Sequence, residues 1–179
     1  MTPRTILDFW FTELEPQQWF IKDEALDEQI RTRFGQTLQQ AMSGELSAWR
    51  ETPQGRLAEI IVLDQFSRNV YRNTPKAFTQ DAQALVLAQE AIRQQVDQTL
   101  ETLERCFLYL PFMHSESKSI HETALHLFAA VNHPQFHQSE IQHKAIIDRF
   151  GRYPHRNEIL GRTSTEEELA FLKEPNSSF

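Results

Sequence analysis

Apolar residues recur along this chain at intervals of three and four, the spacing of a packed helix face, and the alternation of a strand is missing. Thr2-Pro3 is a cap followed by a first-turn proline, which opens a short helix through ILDFWF. Asp23 is placed to cap a long helix in which Leu26, Ile30, Phe34 and Leu38 share a face, ending near Gly44. Thr52-Pro53 opens the next helix, and Asp81 starts another with Leu85, Ala88 and Ile92 on one side. A further helix holds Leu103, Cys106, Phe107 and Leu110 and is expected to stop near Pro111, because proline disfavours a helical residue before it. Ile120, Ala124, Leu127, Phe128 and Val131 mark a helix closed by Asn132 and Pro134. Ile141, Ala145, Ile146 and Phe150 mark one ending at Gly151, and Thr165 with Glu168 fits a capping box before ELAFLKE.

The pattern predicts an all-α, single-domain array of about eight or nine helices spanning residues 1–179, with short connections and a tail that frays from about 175. No period of about 34 residues repeats cleanly.

One stretch breaks the binary pattern inside a helix. In IIVLDQFSRNVYR, residues 60 to 72, the apolar stripe begun by Leu57, Ile60 and Ile61 continues into Asp64 and Arg68, which are i,i+4 neighbours, with Arg72 a turn further on. A buried ion pair is costly to desolvate unless well hydrogen-bonded. Two readings stand: a structural pair that fixes how helices cross, or a ligand site.

Two further segments are polar where a core is expected. LYLPFMHSESKSIHE, residues 108 to 122, puts His114, Ser115, Glu116, Ser117 and Lys118 at a bend between two apolar helices. The serines suffice as caps, whereas His114 beside the carboxylate of Glu116 suits acid–base work. RFGRYPHRNEILGR, residues 149 to 162, gathers Arg149, Arg152, His155, Arg156 and Arg162 around Pro154. A short helix beginning there would turn the amides of residues 155 to 157 toward a phosphate or carboxylate, the alternative being a solvated turn.

Composition narrows the classes. The chain has 179 residues, a formal charge of -7 and a single cysteine. One core is expected, and the acidic balance argues against a nucleic-acid binder. Cys106 lies in the apolar run CFLYL and reads as a small buried hydrophobe; with no second cysteine, a reducing compartment is compatible. No secretory leader is evident, and the run CFLYLPFM is far below the roughly 20 residues of a membrane span, so a cytoplasmic protein without a membrane partner is expected. HETALH is not a zinc-protease helix, since His121 and His126 are five apart where four are needed. No metal, cofactor, Walker or nucleophile-elbow motif appears, and none is expected to be used.

Taken together and in order, LDQFSRNVYR, LYLPFMHSE and RFGRYPHRNEILGR resemble the signature of a bacterial family known only as the domain of unknown function numbered 924. The resemblance runs from ILDFWF to STEEELAFL. It departs at Ser67, where the family's L-D-Q-F-P-R-N pattern has proline. It implies an all-helical fold similar to tetratricopeptide-like right-handed arrays, and no established activity. The motif residues it carries over are Asp64, Gln65, Arg68, Asn69, Arg72, His114, Ser115, Glu116, Arg149, Arg152, His155, Arg156, Asn157 and Arg162.

The expectation that follows is convergence. Asp64, Arg68, Arg72, His114, Glu116, Arg149, Arg152, His155 and Arg156 are expected to line one polar pocket, whose arginine excess favours a small anionic molecule or a peptide carboxylate. An enzyme using His114, Glu116 or Asp64 as acid–base groups, with arginines stabilising negative charge, is the alternative. A scaffold held by purely structural ion pairs is the third.

Overall fold

The computed structural model describes residues 1–178. It is an all-α domain, with no strand among those residues. Helix α1 (Pro3–Asp8) begins as its sequence demands, with the Thr2 hydroxyl accepting from the Thr5 amide, and passes into a π-helical turn at Phe9–Glu13. In α2 (Glu24–Met42) the Asp23 carboxylate accepts from the amides of Ala25 and Leu26. Gly44, at φ +74°, turns the chain out of that helix.

Helix α3 (Pro53–Ile61), a π-helical turn at Val62–Phe66 and α4 (Ser67–Val70) form one continuous rod. Its start is tightly seated: a Cβ added at Gly55 would lie 1.8 Å from the Trp49 carbonyl oxygen. The rod packs against α1, α2 and the later helices α5 (Asp81–Arg93) and α6 (Thr102–Met113). Then α6, α7 (Lys118–Val131) and α8 (Pro134–Phe150) stand side by side in chain order. The turns between these three helices are short, and Asn132 at φ +58° and Gly151 at φ +69° close α7 and α8. Thr165 and Glu168 form the expected capping box at the head of α9 (Glu166–Phe171).

Pro111 does not end α6. The helix continues through it to Met113, and Pro111 is buried. The preference of the preceding residue for extended backbone is a local one, and tertiary packing of CFLYLPFM overrides it: residues 106 to 113 are all buried.

The core explains the stripe that turned polar. Residues 57 to 67 are all buried, so α3 has no solvent face there and the distinction between an oily face and a polar one does not apply. Phe66 enters an aromatic cluster, with ring centroids 5.2 Å from Phe34 and 5.7 Å from Trp10. Glu59, fully buried, receives two 2.6 Å hydrogen bonds from Arg50. A smaller apolar cluster of Ile146, Ile147, Tyr153 and Phe171 ties the C-terminal segment to α8.

Cys106 is fully buried, and burial pushes its thiol up to about 12, so it serves as an inert packing residue. In the tail, expected to fray from about 175, Ser177 donates to the Leu172 carbonyl at 3.1 Å; Phe179 lies outside the described residues. Among the described residues, no helix is long and apolar enough to cross a membrane.

Candidate functional site

Asp64 sits in the π-helical turn, one turn before α4 and on the side of the rod that meets the end of α6. A π turn inserts an extra residue into the helical ladder and re-aims side chains, a device found often at functional sites. Here it sends Phe66 into the aromatic core while Asp64 meets polar partners.

The cluster around Asp64 draws on three other stretches: the end of α6, the start of α5 and the Pro154–Arg156 turn. His114 Nδ1, at the C-cap of α6, lies 2.7 Å from Asp64 Oδ1. Arg68 Nη1 lies 3.2 Å from the same oxygen and donates to the Asp64 carbonyl at 2.8 Å. Gln65 donates to Asp64 Oδ2 at 2.5 Å. Arg68 also meets Asp81, at the first residue of α5, with contacts of 2.9 and 3.1 Å. Arg156 reaches Asp81 Oδ2 at 3.0 Å from the other side. Its guanidinium lies 4.6 Å from the ring centres of both Phe78 and Tyr153, a cation held between aromatic faces.

The loop that carries His114 is held by its carbonyls. Tyr153 donates its hydroxyl to Met113 O at 2.5 Å, Arg156 Nη2 donates to His114 O at 3.1 Å, and His121 Nε2 donates to Ser115 O at 2.8 Å. Three consecutive carbonyls at a helix end thus have side-chain donors, satisfying acceptors that a helix leaves open. Because His121 Nε2 faces a carbonyl, it carries a proton. Its Nδ1 lies 2.7 Å from the buried Glu140 carboxyl, so Glu140 and His121 hold one further proton between them. Burial raises the Glu140 pKa, against the pull of His121.

Not all nine expected residues gather here. Asp64, Arg68, His114 and Arg156 are linked directly or through Asp81. Glu116 lies beside them but is engaged otherwise, accepting two bonds from Arg162 at 2.6 and 2.9 Å and one from the Tyr153 amide at 2.8 Å. His155 packs its ring 5.6 Å from that of Tyr153. Arg72 points the opposite way, forking onto Asp27 of α2 at 2.5 and 2.7 Å, with Asn69 on the same carboxylate at 2.8 Å. Arg149 pairs with Glu167 at 2.8 Å, and Arg152 forks onto Glu168 at 2.6 and 2.8 Å, both binding α9 rather than the cluster. Nor does Pro154 open an anion-binding helix end. The turn Pro154–Arg156 is a single 3-10 turn, and the Arg156 and Asn157 amides donate to the Tyr153 and Pro154 carbonyls at 3.1 and 3.0 Å.

The electrostatics set the protonation. Burial alone would raise the Asp64 carboxyl, but Arg68 and His114 outweigh it and hold it well below the usual carboxylate range. Burial lowers the His114 pKa, Arg68 adds to this, and Asp64 opposes it without winning. His114 is therefore neutral at pH 7, with its proton on Nδ1 facing the Asp64 carboxylate. Its Nε2 takes part in no hydrogen bond among the described residues, and the side chain keeps 15% of its surface exposed. Such an atom can accept a proton. No group of three His, Cys, Asp or Glu is arranged to hold a metal ion among the described residues.

The arrangement, an all-helical domain with a buried Asp–His pair flanked by arginines, defines the class of protein only broadly. The particular family is clearer: over residues 6–176 the chain matches the model of bacterial proteins of unknown function (DUF924), and it belongs to that family. The structure of a protein of unknown function, ATU0120 from Agrobacterium tumefaciens, is similar over 96% of each chain, with 37% sequence identity and a TM-score of 0.90. No curated protein matches.

Four participants escaped the sequence. Asp81 reads there only as the start of a helix, His121 only as a failed zinc motif, and Tyr153 and Glu140 not at all. Tyr153 lies inside the RFGRYPHRN motif, and a tyrosine among arginines beside a helix break was the available signal. Nothing in the pattern around Asp81 or Glu140 distinguishes them from surface acids.

Proposed function

We propose that this protein binds a small anionic molecule at the His114 edge of the cluster and that His114 exchanges a proton with it at Nε2. The observation that carries the reading is the 2.7 Å contact between Asp64 and His114 Nδ1, which leaves Nε2 as a base, with Arg68 on the same aspartate and Arg156 on the His114 carbonyl. An aspartate behind a histidine fixes its tautomer and stabilises the imidazolium that forms on protonation. Arg68 and Arg156 supply positive charge where the ligand's negative charge would lie. A peptide carboxylate has the same chemistry as a small carboxylate here.

The second reading, a purely structural cluster, has its own observation: Asp81 already bridges Arg68 and Arg156. The two readings separate on Asp81→Asn. Removing that carboxylate's charge leaves Arg156 without an ion pair and Arg68 with Asp64 alone, so a binding site gains affinity for acetate or inorganic phosphate, and His114 resonances move as either is titrated. A structural cluster only melts lower, with neither anion moving His114. The experiment is an NMR titration of the labelled wild type and the variant, with His114→Gln as the control that loses the effect.

A further inference from the structure

A second cleft lies away from this cluster, where α5, the 3-10 turn Val96–Thr99, α6 and α7 meet, with a volume of about 500 Å³. We propose that it binds a small monocarboxylate with an apolar body, its head on Arg105. Arg105 lies on α6 and His114 caps its end, about 13 Å of helix rise and half a revolution further on, so the two sites face different sides of the domain.

The walls set the ligand class. Ile92 of α5 and Leu127 and Ala130 of α7 provide apolar surface. Arg105 provides the charge, and it has no ion-pair partner among the described residues; its buried Nε has no hydrogen-bond acceptor there. The acids nearby are already engaged. Asp97, 2% exposed, accepts from the Tyr109 hydroxyl at 2.6 Å and from Gln98 at 2.6 Å. Glu122, at the rim, pairs with Lys144 at 2.8 Å. The Tyr109 hydroxyl lies beside the guanidinium, but a free carboxylate partner is what the cleft lacks, and a carboxylate meets a guanidinium through two parallel hydrogen bonds. A volume of this size accommodates an aromatic ring or a short alkyl chain behind that head. A dianion fits less well, because the carboxylates of Asp97 and Glu122 oppose a second charge.

The test uses the full chain, labelled with nitrogen-15, titrated separately with benzoate, hexanoate, benzylamine and acetate. Benzoate and hexanoate are expected to shift the amides of Ile92, Leu127 and Ala130 saturably, with acetate weaker for want of an apolar body. Arg105→Gln is expected to weaken benzoate by about tenfold or more. Ala130→Phe, which fills the cleft from an exposed position, is expected to abolish it, while His114→Gln leaves it unchanged. The proposal is overturned if neither acid shifts these amides at millimolar concentration. Equal binding by Arg105→Gln, or benzylamine binding as well as benzoate, overturns it too.

Discussion

His114 Nδ1 and Asp64 Oδ1 stand 2.7 Å apart, although 50 residues of chain separate them, and the aspartate is 1% exposed. The pair joins the π turn of the central rod to the end of α6. Asp64 therefore answers to two demands at once, the orientation of His114 and the neutralisation of Arg68. Asp64→Asn is expected to cost about 3–5 kcal/mol, as for a buried ion pair stripped of one partner. Chemical denaturation measures this directly, and a loss under about 1 kcal/mol would mean that the pair is more solvated than its burial implies.

Arg72 provides a contrast. It forks onto Asp27, far from His114, so Arg72→Ala is expected to lower stability by about 3 kcal/mol and the melting temperature by several degrees. The His114 ring resonances should stay where they are. Movement of those resonances would tie Arg72 to the cluster after all.

Much of this was legible in the chain, and the boundary is instructive. Helix starts with local chemical causes, such as Thr2, Asp23, Thr52 and Thr165, stand where the pattern puts them. Pro111 was misleading because burial on every side decides that segment, and a nearest-neighbour preference does not record burial. At the site, the motif residues with charge were visible, but their partners were not. Arg149 and Arg152 belong to α9 through Glu167 and Glu168, two acids in a run of three that reads as a first-turn charge pattern. Which arginine meets which acid depends on tertiary geometry, and side-chain type carries no record of it.

In the L-D-Q-F-P-R-N pattern that this stretch resembles, proline stands where this chain has Ser67. Its backbone lies at φ -59°, an angle proline adopts, and its buried hydroxyl has no hydrogen-bond partner among the described residues. Ser67→Pro is expected to fold and to match or exceed the wild type, by up to about 1 kcal/mol through the stiffer unfolded chain. A melting temperature several degrees lower would show that the amide of residue 67 is needed.

Acid should unfold the protein in two overlapping windows. Burial holds His143 and His155 neutral, with pKa values lowered from 6.5 to about 3. The unfolded chain binds their protons first, so their contribution falls as the pH drops from 6.5 toward 3. Arg152 holds Glu168 down at about 2 against an ordinary 4.5, so that contribution is complete above pH 4.5 and is lost as the pH falls through 2. Melting temperatures measured from pH 7 to pH 2 should decline throughout, with Glu168→Gln flattening only the lower part. A variant that flattened the upper part instead would reassign the groups.

Tyr153 positions the His114 loop through the Met113 carbonyl. Tyr153→Phe removes one buried donor and leaves that carbonyl unpaired, at a cost of about 1–3 kcal/mol. Nitrogen-15 shifts of residues 113 to 116 are expected to change along with it. Unchanged shifts would mean that Arg156 and His121 hold the loop without help.

The most direct test of the site is the protonation of His114 itself, read from long-range proton–nitrogen spectra of the imidazole between pH 4 and pH 8. The expected spectrum has the proton on Nδ1 and a bare Nε2 at pH 7, titrating below 6.5, with that tautomer preference lost in Asp64→Asn. A His114 protonated on Nε2, or on both nitrogens, at pH 7 would contradict it.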